Sequence, residues 1–340
     1  NIIAASGLLL GHMSTHVSPS HFWPLAFFGL IYPVLIITNI LFLIIWIVLR
    51  KKYAFLSLII ILTGFNHILR STPVIFNKSR ETEPVPAHEQ LKVMSFNVRA
   101  FNIYEWLQSP NTNKDIFNFI RSELPDVICL QEYYTNRDAN FHPHRHSQLF
   151  NNTPYHHIEY SIKNSENTGF GIATFSRYPI VGKGSITFSD SYNRAIYTDI
   201  LFGGDTIRIY NTHLQSVSLR ANHYHFIDSL RFGYSEKQLR ELQDISMKLK
   251  SAYIKRAEQA KKVTAHRVKS GHPVIVCGDF NDTPVSFAYH KMSSGLKDAF
   301  LQKGMGRGNT YLGRFSLRID YILYGKGIEA LEFNKIEAEL

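Results

Sequence analysis

The chain has 340 residues, of which 45% are hydrophobic, and its formal net charge is +10 at pH 7. This length gives room for one large domain or two small ones, and the basic charge favours an anionic partner: nucleic acid, lipid headgroups or a phosphorylated substrate. Cys129 and Cys277 lie in apolar runs whose spacing excludes a zinc or redox motif, so both are predicted to be buried free thiols.

The first 69 residues are mostly apolar and predict transmembrane helices. An uncharged run from Pro24 to Leu49 is long enough to span a bilayer, and the turn Arg50-Lys51-Lys52 separates it from a second uncharged run at 53–69. Together they predict a transmembrane hairpin, and residues 1–12 are interpreted as the remnant of an earlier helix. A buried helical hairpin of a soluble protein is the alternative.

The positions of Lys and Arg predict the orientation of this hairpin. By the positive-inside rule, the basic turn 50–52 is cytoplasmic and the domain that follows is extracytoplasmic. Arg70, Lys78 and Arg80 argue for the opposite orientation. Residues 70–90 contain three prolines among polar residues and are predicted to be a linker. We therefore expect an integral protein of a bacterial inner or plasma membrane with an extracytoplasmic domain at 91–340.

Residues 91–340 have the pattern of a mixed α/β domain. Helices are predicted at 113–123 and 236–269, and Gly203-Gly204-Asp205 predicts a hairpin turn. The second helix is rich in Lys and Arg, which indicates either a solvated face or a surface for anionic lipid or a polyanionic substrate. Two layers of sheet, or one sheet with helices outside, are expected. The predicted strands are Leu91–Val98, Val127–Gln131, Gly171–Phe175, Ile196–Phe202, Thr206–Leu214, Val274–Cys277 and Ile319–Tyr324.

Polar residues stand at the ends of the first two predicted strands, where a sheet-based active site would collect them. Asn97 lies at the end of the first strand and Glu132 directly follows the second. A carboxylate in such a place is costly unless it is paired or bound to a cation. Glu132 is therefore a candidate oxygen ligand for Mg²⁺, which prefers one or two carboxylates together with water and phosphate.

Three later motifs add groups for proton transfer and for phosphate. His213, in Asn-Thr-His-Leu, could polarise or protonate a phosphoryl oxygen, although a single histidine is more often structural. The most specific motif is Gly-Asp-Phe-Asn, in which Asp279 and Asn281 share one face and could hold a water and a phosphoryl oxygen. Asp320 is flanked by apolar residues, and a buried aspartate of this kind commonly orients a histidine.

The order and spacing of these motifs resemble those of the endonuclease/exonuclease/phosphatase (DNase I-like) superfamily over about residues 91–340. The resemblance implies a two-layer β-sandwich flanked by helices and a hydrolase that uses Mg²⁺, or alternatively Mn²⁺, to cleave phosphoric ester bonds. Arg194 is similar to a phosphate-contacting arginine, and Asp320 to the aspartate that orients a final histidine. The other implied roles are metal binding for Asn97 and Glu132, phosphate contact for His213 and Asn281, and water activation for Asp279.

One family motif is missing from the chain. In the superfamily a Ser-Asp-His motif follows the Ile-Asp-Tyr strand, but no histidine occurs between Asp320 and Leu340. We expect this motif to lie beyond Leu340 in a longer protein; its loss is the alternative.

The substrate predicted from the sequence is a phosphoester of nucleic acid or phospholipid. A membrane-anchored phosphodiesterase of the nuclease type is preferred because the domain is basic. The alternatives are a sphingomyelinase-like phospholipid phosphodiesterase and a catalytically inactive membrane binding module. Fold alone does not decide among them.

Overall fold

The structure is a computed structural model, and it describes residues 1–71, 85–104, 112–136, 141–150, 153–163, 168–217, 236–306, 308–312 and 316–336. Within it the chain forms two compact units. The helical unit comprises residues 1–72, 215–261 and 281–292, and the sheet unit comprises residues 73–214, 262–280 and 293–340. The domain boundaries predicted from the sequence at 69, 90 and 340 stay a prediction.

Helices and strands both follow the local sequence pattern. The α-helices of the described residues are α1 (Ile2–Met13), α2 (Pro19–Phe22), α3 (Pro24–Leu30), α4 (Tyr32–Val48), α5 (Ala54–Thr63), α6 (Phe65–Ser71), α7 (Thr112–Glu123), α8 (Pro143–Leu149), α9 (Glu236–Arg267), α10 (Phe287–Ser293) and α11 (Ala299–Lys303). The strands are β1 (Val93–Asn97), β2 (Val127–Thr135), β3 (Tyr155–Lys163), β4 (Gly169–Ser176), β5 (Ile180–Thr187), β6 (Arg194–Phe202), β7 (Asp205–His213), β8 (Val274–Asp279), β9 (Lys297–Asp298), β10 (Tyr311–Leu312), β11 (Ser316–Leu317) and β12 (Asp320–Tyr324).

The described residues of the sheet unit form two mixed sheets, with strand orders β1-β2-β4-β3 and β5-β6-β7-β8-β12-β9, and a separate two-stranded sheet, β10-β11. β1 runs parallel to β2, and β7 runs parallel to β8, whereas the other pairs in these two sheets are antiparallel. Cys129 of β2 packs with Ile209 of β7 and Cys277 of β8 in the core between the sheets. The two-layer architecture expected from the resemblance is thereby confirmed, and both cysteines are buried free thiols as predicted.

The apolar N-terminal region of the helical unit is a bundle in which α1 packs against α3, α4 and α5. The run 24–49 forms two helices rather than one, because Pro33 stands in the first turn of α4 and cannot continue a preceding helix. Among the described residues no single helix is long and apolar enough to cross a bilayer, but α3 and α4 together meet that criterion by length and composition, as a pair bent by 68°.

Candidate active site

Three of the predicted site residues meet at one side chain in the sheet unit. The Nδ2 atom of Asn97, at the end of β1, donates to Glu132 Oε1 at 3.0 Å and to Asp279 Oδ2 at 3.1 Å. β1 and β8 belong to different sheets. The amide of Asn97 therefore joins an acid of each sheet at one end of the sandwich.

The backbone is unusual around these residues. Glu132 has φ 52° where β2 and β4 shift register between Leu130 and Tyr133, and residues 99–102 all have φ between 44° and 57°. Bulges of this kind redirect side chains, and left-handed conformations of non-glycine residues cost of order 1–3 kcal/mol each. The side chain of Glu132 therefore departs from the regular alternation of β2, and its carboxylate contacts Asn97.

His213 is the last residue of β7 and lies beside Asp279 in the parallel register of β7 and β8. Its Nε2 atom is 3.9 Å from Glu132 Oε1, which is too long for a hydrogen bond. The same nitrogen is buried and has no hydrogen-bond partner among the described residues. A buried, unpaired ring nitrogen beside a carboxylate is suited to contact an oxygen of a bound substrate.

Asp320 faces Asp279 across the antiparallel pair β8 and β12. Burial and the neighbouring Asp279 raise the pKa of Asp320 well above its usual range, while Thr310 and Arg99 act in the opposite direction. Thr310 Oγ1 also accepts from the backbone N–H of Asp320 at 3.1 Å. The structure shows Asp320 as half-buried rather than fully buried, and Asp320 adds a second carboxylate beside Asp279.

The remaining two predicted residues are placed differently. Arg194, the first residue of β6, donates from Nε to Ser161 Oγ of β3 at 3.2 Å, while the adjacent Asn193 donates to Leu214 O at 3.0 Å. The start of β6 thus lies next to the end of β7, but phosphate contact by Arg194 stays a prediction. Asn281 has φ 52° and begins the third segment of the helical unit.

Sequence reasoning missed two polar residues below the site. Gln131 and Asn211 are both 0% exposed, and Gln131 Nε2 donates to Asn211 Oδ1 at 2.7 Å. Asn211 Nδ2 donates to Ala173 O at 2.8 Å and to Leu130 O at 3.3 Å. These bonds join the two sheets directly beneath Glu132 and His213. Both residues could have been noticed in the sequence as a polar residue within an apolar strand: Gln131 immediately precedes Glu132, and Asn211 lies two residues before His213.

The donor chemistry fits a hard divalent cation. No group of three or more His, Cys, Asp or Glu residues suited to a metal ion occurs in the described part of the chain, so the site depends on the amide of Asn97 beside the carboxylate of Glu132. One carboxylate and one amide leave most positions to water and substrate, as Mg²⁺ prefers. Three acids, Glu132, Asp279 and Asp320, lie together here, which favours a bound cation.

A two-layer sandwich with acids, an amide and an imidazole gathered at one end defines a class of phosphoester hydrolases. A family model described as the Endonuclease/Exonuclease/phosphatase family matches residues 94–334, and the chain belongs to that family. A second model, described as a domain of unknown function, DUF8431, matches residues 1–71. No curated protein matches the chain.

Solved structures similar to this chain include a family member from Leptotrichia buccalis, at 20% identity and a TM-score of 0.45, covering 70% of this chain and 88% of that one. The human Nocturnin catalytic domain has 21% identity and a TM-score of 0.47, with coverages of 70% and 83%. Sphingomyelinase C from Streptomyces griseocarneus has 17% identity and a TM-score of 0.43, with coverages of 70% and 84%.

Proposed function

We propose that this protein is a Mg²⁺-dependent phosphodiesterase of the nuclease type, anchored in a membrane. The observation that carries the catalytic part is the contact of Asn97 with both Glu132 and Asp279, beside the unpaired Nε2 atom of His213. This arrangement combines a cation-binding pair, a base and a hydrogen-bond donor at one place, which hydrolysis of a phosphoester requires.

Each group has a separate task in the proposed reaction. Glu132 and Asn97 would hold the Mg²⁺ ion, which neutralises charge that develops on the phosphoryl oxygens. Asp279 orients and deprotonates the attacking water, beside Asp320, whose pKa is raised by burial and by Asp279. His213 donates to a phosphoryl oxygen as the transition state forms.

A substrate panel tests this proposal. The purified full chain is incubated in detergent with Mg²⁺ and plasmid DNA, single-stranded oligonucleotides or bis(p-nitrophenyl) phosphate. We expect hydrolysis of at least one phosphodiester, and a loss of about a hundredfold or more for Asp279→Asn. Asp205→Asn is the matched control because Asp205 is an exposed acid at the hairpin of β6 and β7. Equal rates for the two variants would contradict the assignment of Asp279.

The helical unit supports the anchor because its polarity is inverted relative to a soluble protein. Asn39 and Ser57 are 0% exposed inside the bundle, and Asn39 Nδ2 donates to Ala4 O at 2.9 Å. A large apolar surface faces outward and would be costly in water but favourable in lipid. The exposed apolar residues of α4 and α5 include Val34, Ile37, Leu41, Ile44, Val48, Phe55, Ile59 and Leu62.

The proposed location of the catalytic domain is extracytoplasmic. The basic turn 50–52 joins α4 to α5, and the positive-inside rule predicts that it lies on the cytoplasmic side of the membrane. At the C-terminal end of α1, Ser14 Oγ contacts the backbone oxygen of Val285 at 3.2 Å, so this end of the helix lies next to the segment 281–292. Resistance to alkaline carbonate extraction, with protease sensitivity of the C-terminal region in intact spheroplasts, would support the proposal; full release by carbonate would contradict the anchor.

A phospholipid phosphodiesterase is the second candidate, and the outward apolar surface of α4 and α5 favours it. Sphingomyelin and phosphatidylglycerol vesicles are therefore assayed beside plasmid DNA under the same conditions. Turnover of lipid alone would replace the nuclease assignment. An absence of turnover with every substrate would instead support the catalytically inactive binding module.

A further inference from the structure

The long basic helix α9 carries a buried arginine in the middle of the helical unit. The side chain of Arg256 is 2% exposed, although arginines on this helix are generally expected at the surface. Its Nη1 atom donates to the backbone oxygens of Gln215, at 3.4 Å, and of Asn281. One guanidinium group therefore holds two segments that are far apart in sequence.

Both segments follow strands that end in proposed catalytic residues. Gln215 comes two residues after His213, and Asn281 comes two residues after Asp279. The neighbouring Gln259, one helical turn from Arg256, accepts from the backbone N–H of Gln215 at 2.8 Å. Side chains of α9 thus bind the backbone of Gln215, just after β7, and of Asn281, just after β8. These contacts do not involve the side chains of Gln215 and Asn281.

The guanidinium group is held on its other sides as well. Its Nε atom pairs with Asp282 Oδ2 at 3.3 Å, and Asp282 is itself buried. The ring of Tyr253 lies against it with 4.6 Å between the guanidinium carbon and the ring centroid. Tyr253 in turn packs edge-on against Phe27 of α3, with 5.8 Å between the ring centroids. A planar group restrained this way has a fixed donor geometry, which lysine cannot reproduce.

We infer that Arg256 is a positioning residue of the hydrolase: it fixes the backbone of Asn281 and Gln215, and through them the geometry of the phosphate-contacting groups at the ends of β7 and β8. The kinetic part of this inference rests on the proposed function. The restraint of the two backbone segments by Arg256 does not rest on the proposed function. A buried charge with a buried partner contributes little net stability compared with apolar residues, whereas a small displacement of catalytic groups has a large effect on rate.

The test uses the full chain and two readouts. Arg256→Lys keeps the charge but loses the fork of donors. The double variant Arg256→Gln with Asp282→Asn removes both buried charges together, so that neither is left unpaired. Arg240→Ala is the matched control because Arg240 lies on the same helix, is 80% exposed and pairs with the exposed Glu236.

Hydrogen exchange detected by mass spectrometry is the first readout. We expect both Arg256 variants to lose about tenfold or more protection in the segments 214–217 and 280–286, with the strands β2 and β4 unchanged. Unchanged protection in these two segments would overturn the inference. A uniform loss over the whole chain would also overturn it, since that result indicates general destabilisation. This readout applies even if the proposed function fails because no substrate is turned over.

Kinetics with bis(p-nitrophenyl) phosphate provide the second readout. We expect kcat of Arg256→Lys to fall by about a hundredfold with little change in KM, and Arg240→Ala to match the wild type. In Arg256→Ala, millimolar guanidinium chloride should restore part of kcat by occupying the vacated position. A merely destabilised protein would lose further activity in guanidinium. Loss of protection in both segments with unchanged kcat would show that they do not position the site.

Discussion

The bond between Gln131 and Asn211 gives a prediction whose magnitude follows from the structure. Asn211→Ala removes a 2.7 Å hydrogen bond from Gln131 and a 2.8 Å hydrogen bond to Ala173 O, both inside the sandwich. Each buried hydrogen bond contributes about 1 kcal/mol, and a stranded buried polar group costs about 1–3 kcal/mol. We therefore expect the free energy of unfolding of the sheet unit to fall by about 3 kcal/mol.

A urea titration of the full chain, followed by hydrogen exchange of amides in β4 and β7, measures this change strand by strand. Asn334→Ala is the matched control, because Asn334 is exposed and donates to the exposed Glu332, so its loss should change the free energy of unfolding by no more than about 0.5 kcal/mol. A shift of less than about 1 kcal/mol in the free energy of unfolding of Asn211→Ala would contradict this prediction, since the inter-sheet amide would then contribute no net stability.

Three further predictions concern the site and the core beneath it. His213→Gln should lower kcat by about 10²–10⁴-fold with an unchanged urea midpoint, measured as steady-state rates beside unfolding curves; an active variant would remove His213 from the reaction. Gly278→Ala should cost more than about 3 kcal/mol, because Gly278 has φ 135° and an added Cβ would lie 1.9 Å from Thr212 O; normal thermal unfolding of this variant would contradict the placement of β8 against β7. Burial lowers the pKa of His157 below its ordinary value of 6.5, against the opposing effect of Glu159, so its unfolded form binds the proton more readily. The contribution of His157 to the free energy of unfolding is therefore fully present above pH 6.5 and declines as the pH falls below that value. His157→Gln should reduce that decline, and unfolding midpoints at about pH 7 and about pH 5 provide the measurement; an equal decline in the variant would count against this origin.

Most strands could be predicted because their residues are buried on both faces. All seven predicted strands are present, with ends that differ by a few residues, and the helices at 113–123 and 236–269 are confirmed. The two long strands that were missed, β3 and β5, are the outer strands of their sheets. β5 alternates between half-buried and exposed residues, and β3 is rich in histidine and charged residues, so neither forms a continuous apolar run.

The sequence indicated candidate residues for the site but not the contacts among them. Asn97, Glu132, His213 and Asp279 stood out because each follows or ends an apolar strand. Their meeting depends on the pairing of β1 with β2 and of β7 with β8, which connects residues far apart in the chain and which a local pattern does not determine.

Gln131, Asn211 and Arg256 escaped sequence reasoning for a related reason. A polar residue in an apolar strand, or an arginine on a basic helix, looks the same in the sequence whether it faces solvent or a buried partner. The break of the apolar run at Ile31, by contrast, has a local cause, because Pro33 was visible in the sequence as a helix-starting residue.

The dependence of hydrolysis on Mg²⁺, measured in the wild type and in Glu132→Gln, decides whether Glu132 holds a catalytic cation. We expect the wild-type rate with a phosphodiester to rise to saturation with Mg²⁺, to be abolished by EDTA, and to return on addition of Mg²⁺ or Mn²⁺. Glu132→Gln keeps the shape of the side chain but removes its charge. This variant should need far more Mg²⁺ for half-maximal activity, and its turnover should be slower by a factor of about one hundred or more. A wild-type rate that is indifferent to EDTA, or a Glu132→Gln enzyme with an unchanged Mg²⁺ dependence and rate, would contradict this expectation.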